Sequence, residues 1–135
     1  MKHYQVNHKM KNDKKRILLV DDELDITITF RMVLESNGFL VDAFNDPQGA
    51  LSNFKADLYD LLLIDIKMPK MNGFELYQEI EKIDDKVKVC FITAFEVYYK
   101  SLRELFPVTK VDCFIKKPVT TDELVERIRT ELSAS

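Results

Sequence analysis

Short apolar runs alternate with longer amphipathic ones from Arg16 onward. The short runs are ILLV (17–20), FLVDAF (39–44), LLLI (61–64), VKVCFI (87–92) and VDCFI (111–115). Runs of four to six residues rich in Val, Ile, Leu and Phe predict strands, and the near-continuous ones predict strands buried on both faces. The intervening segments have helical spacing. Ile26, Phe30, Val33 and Leu34 fall on one face, and Asn37-Gly38 supplies a stop, although the β-branched ITIT leaves the start of this helix less defined than its middle. The second connector runs from Pro47 to about Ala56. The third follows Asn72-Gly73 with Phe74, Tyr77 and Ile80, beside Leu76 and Ile83. The fourth spans Glu96 to Phe106 and stops at Pro107. The last opens on TTDE, a capping box from Thr120 to Glu123, and aligns Leu124, Ile128 and Leu132. Five strands, each followed by a helix, predict an α/β fold: right-handed crossovers and a parallel sheet covered on both sides.

That order decides where to look for chemistry, because ligands of open parallel sheets bind beyond the carboxyl ends of the strands. After the first strand stand Asp21, Asp22 and Glu23, and after the third Asp65, followed by a break at Pro69, Asn72 and Gly73. The fourth strand ends at Thr93 and the fifth at Lys116-Lys117-Pro118. Taken singly, each is ordinary: an acidic residue after a strand is usually a cap or a solvated charge, and Glu23 and Asp25 read as first-turn residues favoured by the helix dipole. Together they form a set. Crowded carboxylates repel and call for a cation, and Mg²⁺ is held by one or two carboxylates with water or phosphate oxygens completing its shell. A lysine and a hydroxyl suit phosphate oxygens. The chemistry this suggests is in-line transfer of a phosphoryl group onto Asp65.

The segments ILLVDDELDI, LLLIDIKMPKMNGFEL, CFITA and CFIKKPV resemble, in order and spacing, the receiver domain of two-component response regulators, over roughly residues 16 to 132. The resemblance implies a (βα)5 flavodoxin-like, doubly wound parallel sheet of strand order 2-1-3-4-5. It implies Asp65 as phosphoacceptor, with Asp22 as direct Mg²⁺ ligand, Asp21 acting largely through metal-bound water, and the backbone carbonyl of Lys67 completing the shell. Thr93 matches the switch hydroxyl and Lys117 the lysine paired with the phosphoryl group. Phe114 matches the aromatic whose rotamer accompanies Thr93, and Pro118 the site of a cis Lys-Pro bond. It further implies a phosphohistidine donor on a histidine kinase or histidine phosphotransfer protein. Phosphorylation would then change the face formed by the fourth connector, the fifth strand and the last helix, which a downstream partner or a second copy of the chain reads. Lys67 and Phe95 occupy positions that tune water access in the family, which leaves the lifetime of the aspartyl phosphate open. The stretch around Phe95, Tyr98, Tyr99, Leu102 and Phe106 replaces the small residues usual there, and reads equally as sheet packing or as an exposed aromatic patch.

Two alternatives compete with the switch. A phosphatase working through an aspartyl phosphate wants an acid two residues after the nucleophile, where this chain has Lys67. A degenerate receiver that binds partners without phosphate is disfavoured by the retention of Asp21, Asp22, Asp65, Thr93 and Lys117 together. The expectation is therefore a regulatory domain, not an enzyme acting on an external substrate.

Composition fits this picture. The chain has 135 residues, 46% hydrophobic and 32% charged, enough for one globular domain. No apolar run has the length of a membrane span, and the N-terminus has no signal-like core, so the cytoplasm is the expected compartment. Residues 1–15 form a basic arm, expected to be disordered, ahead of the domain at 16–132 and a tail at 133–135. Counted through Arg16, the first sixteen residues carry a net +5 and leave −8 for the rest of a chain whose total is −3. Without aromatic interleaving the arm gives only weak reason to expect nucleic-acid binding, and His3 and His8 lack the company of metal ligands. No effector motif is visible. Cys90 and Cys113 read as small buried hydrophobes in a reducing compartment, with a disulfide or metal pair as the lesser reading.

Overall fold

The structure is a computed structural model and describes residues 13–94, 104 and 113–134. Its strands are β1 (Arg16–Val20), β2 (Leu40–Phe44), β3 (Leu61–Asp65), β4 (Lys88–Thr93) and β5 (Phe114–Lys116). They form one parallel sheet in the order β2-β1-β3-β4-β5, as the resemblance implies. Among the described residues the helices are α1 (Leu24–Ser36), α2 (Pro47–Asn53), α3 (Gly73–Glu81) and α4 (Thr121–Ser133). The helix expected over Glu96 to Phe106 lies outside the described residues except for Glu104, and with it Phe95, Tyr98, Tyr99, Leu102 and Phe106. Residues 1–12 of the basic arm lie outside them too.

Side chains alternate along each strand, so the apolar runs feed two cores. On one face Leu18, Val20, Leu62, Ile64, Val89 and Phe91 meet Ala50 of α2 and Phe74, Tyr77 and Ile80 of α3. On the other, Ile17, Leu19, Leu61, Leu63, Ile92 and Ile115 meet Phe30 and Leu34 of α1 and Leu124 and Ile128 of α4. Every residue of β3 is buried, because this strand lies between two neighbours and beneath helices on both faces. At about 1.5–3 kcal/mol for each fully buried large side chain, these two layers dominate the folding free energy.

The helix ends follow local chemistry. The capping box expected at Thr120 is present: its side chain accepts from the Glu123 N–H, and the Glu123 carboxylate accepts from the Thr120 N–H. An unforeseen second box links Asn72 and Glu75 at the start of α3. ITIT is fully helical: buried Thr27 turns its hydroxyl onto the Leu24 carbonyl, while Ile28 faces out. Ile83, grouped with the third helix by its spacing, lies beyond the end of α3 and is 49% exposed.

The cysteines require a correction. Cys90 and Cys113 are buried, as expected, yet they are joined as a disulfide with Cα atoms 4.6 Å apart. In sequence they are 23 residues apart. The parallel register that pairs Phe91 with Phe114 sets the two preceding residues side by side, which no spacing rule reveals.

Candidate functional site at the strand tips

The apolar run of β3 delivers Asp65 to the carboxyl edge of the sheet, where it is only 5% exposed. β1 ends one residue before Asp21, which is fully buried, and Asp22 beside it is exposed. One carboxylate oxygen from each of Asp21, Asp22 and Asp65 lies within 4.8 Å of the others. β4 brings buried Thr93 to the same edge, and the Lys117 N–H donates to the Thr93 carbonyl at 2.7 Å. The Lys117-Pro118 peptide bond that follows is cis.

Lys117 is the electrostatic centre. Its Nζ donates to Asp21 Oδ2 at 2.9 Å and to Glu23 Oε1 at 3.1 Å, and stands 3.8 Å from Asp65 Oδ2. Burial alone would lower its pKa, but these carboxylates outweigh burial and raise it. Burial raises the Asp21 carboxyl against the opposing hydrogen bond from Lys117. For Asp65, burial and then the charge of Asp21 push the carboxyl up to about 7, with Lys117 only partly opposing them. Four acidic groups, Asp21, Asp22, Glu23 and Asp65, and one lysine thus leave a negative surplus that a cation relieves. The donor set is hard oxygen, which suits Mg²⁺ rather than a soft metal, so the residues fit the ion expected from the sequence. A second group of ligand-type side chains, Cys90, Cys113 and Glu131, has both sulfurs engaged in the disulfide.

Of the other expected residues, Lys67 and Pro69 line the open depression over Asp65, together with Met68 and Ala94. Phe114 is partly buried, stacked on Phe91 with ring centroids 5.7 Å apart and edge-on to Phe74 at 6.4 Å. The structure therefore brings Asp21, Asp22, Asp65, Thr93 and Lys117 to one edge, with Phe114 one strand-length back on β5.

Three contributors escaped the sequence reading. Glu23 precedes α1 without capping it through its side chain, and spends its carboxylate on Lys117. Asn45 donates both to the Asp21 carbonyl and to the Thr27 hydroxyl at 2.9 Å, tying the tip of β2 to the acidic pair. Gly73 reads in sequence as a chain breaker, but a Cβ there would lie 2.4 Å from the Asp65 carbonyl oxygen and 2.9 Å from Ile66 Cα. Only hydrogen at that position lets α3 start against the end of β3.

Comparison with known proteins agrees with this fold. The family model described as "Response regulator receiver domain" matches residues 17–129. The transcriptional regulatory protein RprY of Bacteroides fragilis is 31% identical over 121 residues, 90% of this chain and 50% of that protein. The CpxR homolog of Haemophilus influenzae is 35% identical over 120 residues, 89% of this chain and 51% of that protein. The chain thus spans about half the length of the curated relatives it matches. Among solved structures, a CheY-like receiver domain protein from Methanospirillum hungatei superposes with a TM-score of 0.78 at 31% identity, covering 88% of this chain and 94% of that one. TrrA from Thermotoga maritima, solved in complex with Mg(2+)-BeF, superposes with a TM-score of 0.70 at 32% identity, covering 86% and 97%. With the fold, the strand-tip residues and the family match in agreement, the chain belongs to the receiver domains of two-component response regulators.

Proposed function

We propose that this chain is a phosphorylation-activated switch that takes a phosphoryl group from a phosphohistidine onto Asp65. The observation that carries this reading is Lys117: a lysine 96 positions from Asp21 in sequence is held by that carboxylate and faces Asp65 at 3.8 Å. In the reaction an Asp65 carboxylate oxygen attacks phosphorus in line, the P–N bond of the donor breaks, and the imidazole leaves with its electron pair. Asp21, Asp22, Asp65 and the Lys67 carbonyl would hold Mg²⁺, which supplies charge neutralisation between the carboxylates and the incoming phosphoryl oxygens. Lys117 exchanges part of its carboxylate pairing for a phosphoryl oxygen, and Thr93 donates its hydroxyl to another. Movement of Thr93 makes room for Phe114 to turn inward, and the surface around β5 and α4 changes for a partner or a second copy of the chain to read.

A protein donor suits the surface. Leu24, Ile28 and Met32, four residues apart along α1, are 60%, 51% and 64% exposed, and Asp22 and Glu23, just ahead of that helix, line the depression over Asp65. A histidine kinase or histidine phosphotransfer protein lying on this stripe would present its phosphohistidine to the site. Among the described residues no helix is long and apolar enough to cross a membrane, and a cytoplasmic location fits this reading. The role is regulatory, with chemistry confined to self-phosphorylation and loss of that phosphate. Control of transcription, the task of the matched relatives, would pass through a further segment or partner.

The test is intact mass after incubation with Mg²⁺ and acetyl phosphate. The wild type gains one phosphoryl group, while Asp65→Asn and metal-free protein gain none. A gain that survives in Asp65→Asn would overturn the assignment. No gain with either acetyl phosphate or a phosphohistidine donor would favour a receiver working without phosphate, and continuous turnover of the donor would favour the phosphatase reading.

A further inference from the structure

We propose that Cys90 and Cys113 form a reversible redox site that sets how firmly the edge strand β5 is tied to the sheet. β5 is three residues long and, among the described residues, has one neighbour, β4. Its backbone connections to β4 include Phe91 N–H to the Cys113 carbonyl at 2.9 Å and Lys117 N–H to the Thr93 carbonyl at 2.7 Å. An edge this short is the part of the sheet most prone to local opening. The disulfide closes the link covalently at one end of that strand.

The surroundings suit exchange between two states. Both sulfurs belong to the apolar layer with Ile92, Ile115, Leu124 and Ile128, where paired thiols are tolerated as small hydrophobes. Arg127 places its guanidinium 3.6 Å from Cys113 Sγ and donates as well to the Phe114 carbonyl at 3.2 Å. A cation beside that sulfur stabilises it as a thiolate, making Cys113 the better leaving group. In the forward step a thiolate of a dithiol reductant attacks Cys90 Sγ once β5 opens. The S–S bond breaks, and Cys113 leaves as thiolate. The second thiol of the reductant then displaces Cys90 and closes its own disulfide, so two electrons and two protons end on the cysteines. A small-molecule disulfide such as oxidised glutathione reverses the reaction.

The location gives the bridge a consequence. Cys90 lies three residues before Thr93, and Cys113 lies one before Phe114 and four before Lys117. Resting on the function proposed above, the bridge couples the strand carrying the hydroxyl to the strand carrying the aromatic, and reduction weakens that coupling.

The experiment compares the wild type equilibrated with oxidised glutathione and with dithiothreitol. Alkylation after denaturation is expected to modify no cysteine in the first and two in the second. Backbone hydrogen exchange of Phe91 and Lys117 should be at least tenfold faster in the reduced protein, with β1 and β3 unchanged. Cys90→Ala/Cys113→Ala should exchange like the reduced form under both conditions; should it fail to fold, the wild-type pair of states still decides. Free thiols after the oxidising treatment, or equal exchange in both states, would overturn the proposal. Beryllium fluoride with Mg²⁺ should slow β5 exchange in the bridged protein by a factor that falls at least threefold on reduction, and an equal factor in both states overturns the coupling. If redox state alters exchange but beryllium fluoride affects neither form, the switch reading fails while the redox site stands.

Discussion

Gly73 and Asp65 bear on one another through backbone contact. The Gly73 N–H donates to the Ile66 carbonyl at 2.8 Å, and the missing side chain lets α3 begin against the end of β3. Gly73→Ala must displace backbone, not a pliable side chain, so it is expected to cost several kcal/mol, at the upper end for overpacking. Urea denaturation reads the loss, and any folded fraction should accept phosphate poorly because Asp65 has shifted. Asp65 itself makes a pH prediction. Burial and the Asp21 charge push its carboxyl up to about 7, against 3.8 ordinarily. The folded protein therefore binds more protons than the unfolded chain across that interval, and stability falls as pH rises through it. In EDTA the expected loss approaches about 1.4 kcal/mol per pH unit. Urea curves at pH 5 and pH 7 measure it, and Asp65→Asn should remove much of the difference. At this scale the sequence announced residue types but not partners. Glu23 looked like a first-turn acid because nothing local signals a lysine 94 positions away.

Elements were more legible. The apolar runs located all five strands, since burial on both faces leaves few other compositions for a central parallel strand. Their starts were less exact, because apolar character does not fix where ladder pairing begins: Arg16 joins β1 ahead of its apolar run, while Phe39 and Val87 stay outside β2 and β4. The loops at the opposite edge depend on a residue the sequence did not mark. Asp84 is buried, and its carboxylate accepts from the N–H of Asp57 at 2.9 Å and of Lys86 at 3.0 Å. Burial would raise its carboxyl, but these backbone donors prevail and lower it. Asp57 needs the help, since it sits at φ 66°, in the left-handed region. Asp84→Ala should cost about 1–3 kcal/mol by leaving two N–H groups unanswered. Because the folded carboxyl is depressed, the wild-type advantage is present at neutral pH and fades as pH falls through the carboxylate range; thermal melts of both proteins at pH 7 and pH 3 check this.

For the whole molecule, the α/β class followed from alternation, while the strand order came only with family resemblance, because periodicity says nothing about which strands are neighbours. The site was legible for a topological reason: a parallel sheet sends every strand's carboxyl end to one edge, so scattered residues converge without any one of them being distinctive. The disulfide stayed the lesser reading because it depends on the register between two strands.

At the other pole, Lys88 opens β4 and turns its ammonium onto the carbonyls of Glu131 and Ala134, where α4 ends without a basic residue of its own. This anchors the tail of the domain about a strand's length, roughly 20 Å for six residues, from the acidic tips. Any segment joined after residue 134 would be tethered at the quiet end of the sheet. On the function proposed above, a phosphoryl group at the tips would act on such a segment along the flank of the domain, leaving the tips clear for a phosphate donor.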